Sequence, residues 1–381
     1  MPEIWFWQRI LSPHMAGLAA ALARQGHAAT YVVEQAMSAD RARQGWQPPS
    51  LPGVTLRIAN SDQAVREAVD AAAPGSIHIC QGIRANGLIG QAQRLLARRG
   101  RRQWVVMETV DDSRPHGWVK RAVYRAHFLR WRRHLAGVLA SGWRTADWVR
   151  ARGVPAARVF PFAYFLPGAL PGAAPTDADG SAFRVLFVGQ FIERKRLGQL
   201  IDALAALAQR SAADFCLQVV GSGPLEASLR KHGQRLLGER LQWIGSLPMD
   251  AARACMTRAD VLVLPSRHDG WGAVVSEALM AGTPTIASDA CGSAGVVRAS
   301  GVGGVFPAGD VVALGELLGR AMAAGHVSAA QRQALAAWAR CLGAEAGAKY
   351  LGQILKYSDG LAPQPVAPWH VLNERMKSCV D

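Results

Sequence analysis

Short apolar runs alternate along the chain with longer stretches in which apolar residues recur every three or four positions. In the first half the apolar runs are 4–7, 29–33, 77–80, 104–107 and 138–140. Each has the length of a buried strand. Helical spacing lies between them. It is clear over 16–24, after a loop over 8–14 in which Ser12-Pro13 gives a start signal, and over 145–152. A second alternation begins at 183. Its strands are expected at 183–188, 215–220, 241–244, 261–264 and 285–288. Its helices are expected at 197–209, 224–237, 249–257, 273–280, 314–323 and 328–355. Residues 360–368 interrupt the pattern before a possible last helix over 369–379.

Strands that alternate with helices imply parallel sheets with helices on their faces. Residues 166–182 are rich in Pro, Gly, Ala and Asp and read as a linker. The pattern therefore predicts an α/β chain of two doubly wound, Rossmann-like domains facing across a cleft. The expected divisions are 1–165, the linker 166–182, a second domain over 183–357, and a tail over 358–381 that packs back on the first domain.

Composition agrees with two such cores, since 50% of the 381 residues are hydrophobic. No apolar run approaches 18 residues, so no transmembrane helix is expected. Pro2-Glu3 leads straight into the first strand without the basic start of a signal peptide. The six cysteines are scattered without a Cys-x-x-Cys pair, which suits a reduced cytosolic compartment and argues against zinc.

Charge changes the picture. The formal net charge is +15, and 94–133 holds twelve lysines and arginines against Glu108, Asp111 and Asp112. Trp118, Phe128 and Trp131 are interleaved. Three readings fit: docking on an anionic inner-leaflet membrane surface, nucleic-acid binding, or a solvated basic face. No helix-turn-helix, zinc-finger or RNA-binding signature accompanies the charge, so nucleic acid is not expected. The expected location is cytoplasmic and peripheral on the inner membrane.

The candidate chemistry lies in 261–288. An apolar strand ends at Pro265-Ser266. Asp269-Gly270-Trp271-Gly272 forms a tight turn, and a helix starts at Ala273. Strand, Gly-rich turn and helix direct the backbone N–H groups of Gly270, Trp271, Gly272 and Ala273 at one point, which suits a diphosphate. Asp269 and Glu277 flank that point as acceptors for sugar hydroxyls. Phosphate donors beside hydroxyl acceptors indicate a nucleotide-sugar site.

Four ordered elements over 183–310 resemble the donor domain of family 4 glycosyltransferases, which have the GT-B fold. They are Phe187-Val-Gly-Gln-Phe-Ile-Glu-Arg-Lys195, Val219-Val-Gly-Ser-Gly-Pro224, Val261-Leu-Val-Leu-Pro-Ser266, and Asp269 with Glu277-Ala-Leu-Met-Ala-Gly-Thr-Pro284. The resemblance implies a retaining transfer of sugar from a nucleotide diphosphate sugar to a glycan or lipid-linked acceptor, in the synthesis of cell-surface polysaccharide or lipopolysaccharide. It places Gly189, Gln190 and Lys195 on the diphosphate, with Gln190 where the family usually has Arg. Arg194, Arg196 or Arg267 are then the compensating cations. Glu277 is implied on the ribose, Asp269 on the donor sugar in place of the family's Glu, and residues around Ile244 and Leu247 on the base.

The family's His in the first domain has no counterpart near 105–112. Glu108 and Asp111 are the acidic candidates for base or electrostatic partner, with Lys195 and Asp269 as the other catalytic candidates. His14 is a candidate for acceptor binding. Asp177-Ala-Asp179 has the form of a metal-binding pair but sits in the linker. No metal and no cofactor is expected, the nucleotide sugar being a co-substrate. Gly221-Ser-Gly-Pro224 is read as a strand-to-helix turn. Gln190 and the missing His leave open a non-catalytic sugar-nucleotide-binding or assembly protein, and the fold leaves open an epimerase or phosphorylase.

Overall fold

A computed structural model describes residues 2–37, 48–84, 86–113, 115–168, 182–211 and 213–370. They divide into two compact units, one made of the chain up to 168 with the chain from 341 onward, the other of 169–340. The expected linker lies mostly outside the described residues, as do Asp177, Asp179 and most of the expected last helix.

The first unit runs β1 (Ile4–Ile10), α1 (Pro13–Arg24), β2 (Ala29–Gln35), β3 (Val54–Ile58), α2 (Asp62–Ala71), β4 (Ile77–Gln81), α3 (Leu88–Arg98), β5 (Gln103–Glu108), α4 (Gly117–Trp131), β6 (Leu135–Ser141), α5 (Thr145–Arg150) and β7 (Val159–Phe162). All its strand pairs are parallel, in the order β3-β2-β1-β4-β5-β6-β7. The central strands are buried on both faces, which is why they read as unbroken apolar runs. The edge strand β3 is largely exposed and carries Thr55 and Arg57 between its apolar residues. That is why no apolar run marks it.

One core group makes the first unit pH-sensitive. His78 on β4 is fully buried. The Trp7 indole donates to His78 Nδ1 at 3.2 Å, so the ring proton sits on Nε2, which faces the Ser76 hydroxyl at 3.0 Å. That hydroxyl in turn donates to the Ala73 carbonyl at 2.7 Å. A second ring proton would meet the indole N–H head-on. Burial, helped by the charge of Arg101, pushes the imidazole down to about 4 from 6.5. The unfolded chain therefore binds the extra proton first. Stability is full above pH 6.5 and falls as pH drops from there to about 4, by about 3 kcal/mol. Urea titrations at pH 7.5 and pH 4.5 check this, and His78→Gln should remove most of the difference.

The second unit runs β8 (Phe183–Val188), α6 (Leu197–Arg210), β9 (Phe215–Val220), α7 (Glu226–Leu237), β10 (Leu241–Gly245), α8 (Met249–Arg258), β11 (Val261–Leu264), α9 (Ala273–Met280), β12 (Thr285–Ser288), α10 (Ala294–Ser300), β13 (Gly304–Phe306), α11 (Val311–Ala323) and α12 (Ala329–Ala339). Its strands are again all parallel, ordered β10-β9-β8-β11-β12-β13. A large apolar cluster packs α6 and α11 on one face of the sheet, and a smaller one packs α8 and α9 on the other.

The helix expected over 328–355 is two helices. A 3-10 turn at Arg340–Leu342, with Cys341 and Leu342 buried, separates α12 from α13 (Ala344–Ser358). The chain returns to the first unit at this turn, so the second unit ends well before the expected boundary at 357. Leu166 is tied to Leu342 and Ala344 by backbone hydrogen bonds of 3.0 and 2.8 Å. The Tyr350 hydroxyl donates to the Pro161 carbonyl at 3.0 Å. Gly347 lets α13 approach closely, since a Cβ there would lie 2.3 Å from the Phe165 ring. The helical pattern alone did not show the break, because the buried turn keeps an apolar periodicity.

Candidate functional site

In the second sheet β8 leads to β9 on one side, while the neighbouring β11 leads to β12 on the other. The loops after β8 and β11 thus leave the carboxyl ends of adjacent strands in opposite directions. Such a switch point is where open parallel sheets bind ligands.

The loop after β8 is held by the turn after β9. Gly189 N–H donates to the Val220 carbonyl at 3.0 Å, and Phe191 N–H to the Ser222 carbonyl at 2.9 Å. Gly221 has φ +135°, and a Cβ there would lie 2.0 Å from the Gly189 carbonyl oxygen. Gly221-Ser-Gly223 therefore braces the first loop as well as turning the chain. A 3-10 turn over Glu193–Lys195 follows, and Arg196 takes a left-handed backbone, φ 52°. This turn carries Lys195 to Asp269.

Lys195 Nζ lies 2.5 Å from Asp269 Oδ2, with both side chains largely buried. Arg194 donates to the His268 carbonyl at 2.9 Å and stands 3.7 Å from the other Asp269 oxygen. Arg267 N–H donates to the Arg194 carbonyl at 2.8 Å. The two loops are joined by charge and by backbone. Of the cations considered for the place of Gln190, Arg194 supports Asp269. Arg196 is partly buried, and burial, then the charge of Arg267, lowers its pKa.

The loop after β11 is fastened to the one after β12. Asp269 N–H donates to the Ala290 carbonyl at 3.1 Å, Gly292 N–H to the Asp269 carbonyl at 3.0 Å, and Ser293 N–H to the Trp271 carbonyl at 2.7 Å. Gly272, φ +86°, precedes α9, whose first N–H groups have no acceptor within the helix. The Trp271 side chain is buried, and its indole donates to the Ser276 hydroxyl at 3.1 Å. Trp271 therefore offers this site its main chain alone. Ser293, which the sequence did not single out, places a buried hydroxyl without a partner beside Gly272. Its signal was only the small-residue run Cys291-Gly292-Ser293 after a strand.

Glu277 lies about 6 Å along α9 from Ala273. Its side chain is 15% exposed and does not point into bulk water. Arg253 Nη2 of α8 stands 3.6 Å from Glu277 Oε1. Burial raises the Glu277 carboxyl pKa, while the Arg253 charge and hydrogen bond pull it down. Arg253 was missed because it reads as an ordinary polar position on an amphipathic helix. Burial, with the Asp269 charge next, holds the nearby Cys291 up at about 12, so it stays a thiol. Gln190 and Gly189 lie in the loop after β8. Ile244 and Leu247 lie at the end of β10, two strands away, where the Ser246 hydroxyl donates to that of Ser222 at 2.9 Å. Ile244 is exposed and Leu247 half-buried.

In the first unit Glu108 is the last residue of β5 and accepts a short hydrogen bond from the Tyr164 hydroxyl. The Tyr164 ring stacks on His14, with centroids 5.1 Å apart and planes at 12°. His14 is not in a loop as expected. β1 extends to Ile10, Pro13 starts α1, and His14 stands in its first turn. Tyr164 thus links two of the candidates, and no motif around it announced this. Asp111 accepts from the Ser113 hydroxyl at 2.7 Å, and its carbonyl accepts from Lys120 at 2.5 Å. Its neighbour Asp112 accepts from the Trp148 indole at 2.9 Å and pairs with Arg121 and Arg152. Among the described residues no three His, Cys, Asp or Glu side chains are grouped to hold a metal.

Residues 174–337 match the family model of glycosyl transferases group 1. Over 105 residues the chain is 39% identical to a 2-deoxystreptamine glucosyltransferase of Streptomyces kanamyceticus, covering 26% of this chain and 26% of that protein. Over 136 residues it is 37% identical to a phosphatidyl-myo-inositol mannosyltransferase of Mycobacterium leprae, covering 35% and 36%. The matched segment thus spans about a quarter to a third of these relatives. The fold is shared over nearly the whole length with the lipopolysaccharide outer core galactosyltransferase WaaB in its apo form. That match has a TM-score of 0.70 at 15% identity and covers 94% of this chain and 99% of that one. Anabaena HepE in complex with UDP-glucose gives 0.67 at 17%, covering 94% and 100%.

Proposed function

We propose that the protein is a glycosyltransferase, since residues 174–337 match the family model of glycosyl transferases group 1 in a chain of GT-B fold. It moves a sugar from a nucleotide diphosphate sugar to a glycan or lipid-linked acceptor in cell-surface polysaccharide synthesis. One observation carries the reading: Lys195 and Asp269 meet at 2.5 Å at the switch point, next to the turn whose Gly272 opens α9 with no side-chain cap. A dianionic leaving group needs cation and N–H donors held rigidly in place.

In this mechanism the bond from the anomeric carbon to the diphosphate oxygen breaks, and its electron pair stays on the diphosphate. The α9 N–H groups and Lys195 stabilise the charge that develops there. Asp269 fixes Lys195 and accepts a donor-sugar hydroxyl, and Glu277, beside Arg253, accepts the ribose hydroxyls. The acceptor oxygen forms the new bond and gives up its proton, for which Glu108 is the base, poised by Tyr164. His14 contacts the acceptor, and the anomeric configuration is retained. A panel of UDP-, GDP-, ADP- and CDP-sugars with a lipid-linked glycan acceptor tests this by product formation. Tight binding of a donor without nucleotide release would favour instead the sugar-nucleotide-binding protein that Gln190 suggests.

Helix α4 supports docking on an anionic inner leaflet. Only Gly117 and Phe128 of it are buried. Trp118 is 64% exposed, and Val119, Val123 and Leu129 are exposed beside Arg121, Arg125 and Arg130. Exposed apolar and basic side chains on one element favour an anionic membrane surface, the apolar groups entering the interface and the arginines meeting headgroup phosphates. No helix among the described residues is long and apolar enough to cross a membrane. Sedimentation with phosphatidylglycerol vesicles should be strong at low salt and largely lost at 0.5 M NaCl. Absence of binding at low salt contradicts this part of the proposal.

A further inference from the structure

A second basic feature lies on the first unit, in the groove between α2 and α3. The two helices run side by side. Gln91 Nε2 donates to the Asp62 carbonyl at 3.3 Å near their starts, and Arg99 pairs with Asp70 near their ends. Between these ties is an open cavity of about 380 Å³ lined by Asp62, Arg66, Gln91, Arg94, Leu95 and Arg98.

None of the residues of the candidate donor site lines this cavity. Three guanidinium groups face it against a single carboxylate. Arg94 and Arg98 are four residues apart on one helix, a like-charge spacing that destabilises the helix. The neighbouring acids do not relieve it. Asp70 is taken by Arg99, and Glu67 accepts from Gln63 at 2.9 Å. Among the described residues Arg66, Arg94 and Arg98 have no acceptor on the chain. A cavity that gathers donors and leaves their repulsion uncompensated is complementary to a multiply charged anion.

We infer that Arg66, Arg94 and Arg98, with the Gln91 amide, form a binding site for a phosphomonoester or diphosphate group. The planar forks of arginine match phosphate oxygens with paired hydrogen bonds, which a single carboxylate would not saturate. The cavity has room for one or two phosphates and a small part of their carrier. Leu95 on its wall is half-buried and offers the carrier a small apolar contact. The phosphate comes either from a lipid headgroup or from a soluble phosphorylated molecule. This inference does not depend on glycosyl transfer.

The test uses pyrophosphate calorimetry on the full chain carrying Lys195→Ala, which removes the donor-site cation. Adding Arg66→Gln and Arg94→Gln should weaken pyrophosphate binding at least tenfold. The added substitutions should not lower the melting temperature, since both residues are exposed and Arg94→Gln relieves a like-charge pair. A loss of pyrophosphate affinity smaller than tenfold overturns the inference. Vesicles of phosphatidic acid and of phosphatidylglycerol, matched in surface charge, distinguish the sources. If the arginine variant also loses a preference for phosphatidic acid, the ligand is a lipid phosphomonoester. If it loses pyrophosphate binding alone, the ligand is soluble.

Discussion

Replacing Lys195 with alanine is expected to lower turnover about 10²- to 10³-fold, the range found when a single stabiliser of developing oxyanion charge is removed. The leaving diphosphate gains negative charge as the anomeric bond breaks, so the lysine interacts more strongly with the transition state than with the bound donor. The loss should therefore fall on kcat more than on KM. The substitution also strands Asp269, which is largely buried and loses its cation at 2.5 Å, keeping only the more distant Arg194. Some stability will be lost, and kcat must be compared well below the melting temperature of the variant. Lys195→Ala with Asp269→Asn removes the stranded charge and should recover stability without recovering turnover. A kcat close to that of the unmodified protein in either variant would remove Lys195 from the chemistry.

Asp260→Asn should destabilise the second unit by about 3 to 5 kcal/mol. Asp260 is 4% exposed at the start of β11. It accepts from Arg184 N–H at 2.9 Å, His326 Nδ1 at 2.9 Å, Val327 N–H at 3.3 Å and Arg332 Nη2 at 3.4 Å. These donors come from β8, from the segment before α12, and from α12 itself. Arg332 is also buried and reaches the Thr283 hydroxyl at 3.3 Å. An amide cannot balance the Arg332 charge, so the cost is that of an uncompensated buried guanidinium. Guanidinium denaturation, followed by two probes because two units need not unfold together, measures it. Asp260→Asn with Arg332→Met removes both charges while the amide oxygen still accepts from a backbone N–H, and should cost much less than the single change.

The two parallel sheets were legible because strands buried on both faces keep unbroken apolar runs, as in β1, β6 and β11. The edge strand β3 was not, since Thr55 and Arg57 face water there. Helix α4 lacked an apolar stripe because almost none of it is buried, and the sequence registered it only as charge. At the candidate site the turn from Asp269 to Ala273 and the position of Glu277 could be read from glycine spacing within one segment. The Lys195–Asp269 contact joins residues 74 apart. Its members were named, but their pairing depends on which strands become neighbours. Arg253 and Tyr164 were missed for the same reason: each acquires its role from a partner on another element, and neither sits in a motif of its own. Ser293 was missed because its hydroxyl comes beside Gly272 only when the loops after β11 and β12 meet. The break at Arg340–Leu342 was hidden because a turn that buries Cys341 and Leu342 preserves the helical apolar spacing.

The proposed function requires that the site at the ends of β8 and β11 hold a nucleotide sugar, with Glu277 on the ribose. Thermal shift of the unmodified protein and of Glu277→Gln, each with UDP-, GDP-, ADP- and CDP-sugars, tests it most directly. At least one donor should raise the melting temperature of the unmodified protein by several degrees. Most of that rise should vanish in the variant, since a hydrogen bond to a charged group contributes about 1.5 to 3 kcal/mol. No shift with any donor, or an equal shift in both proteins, would contradict the account.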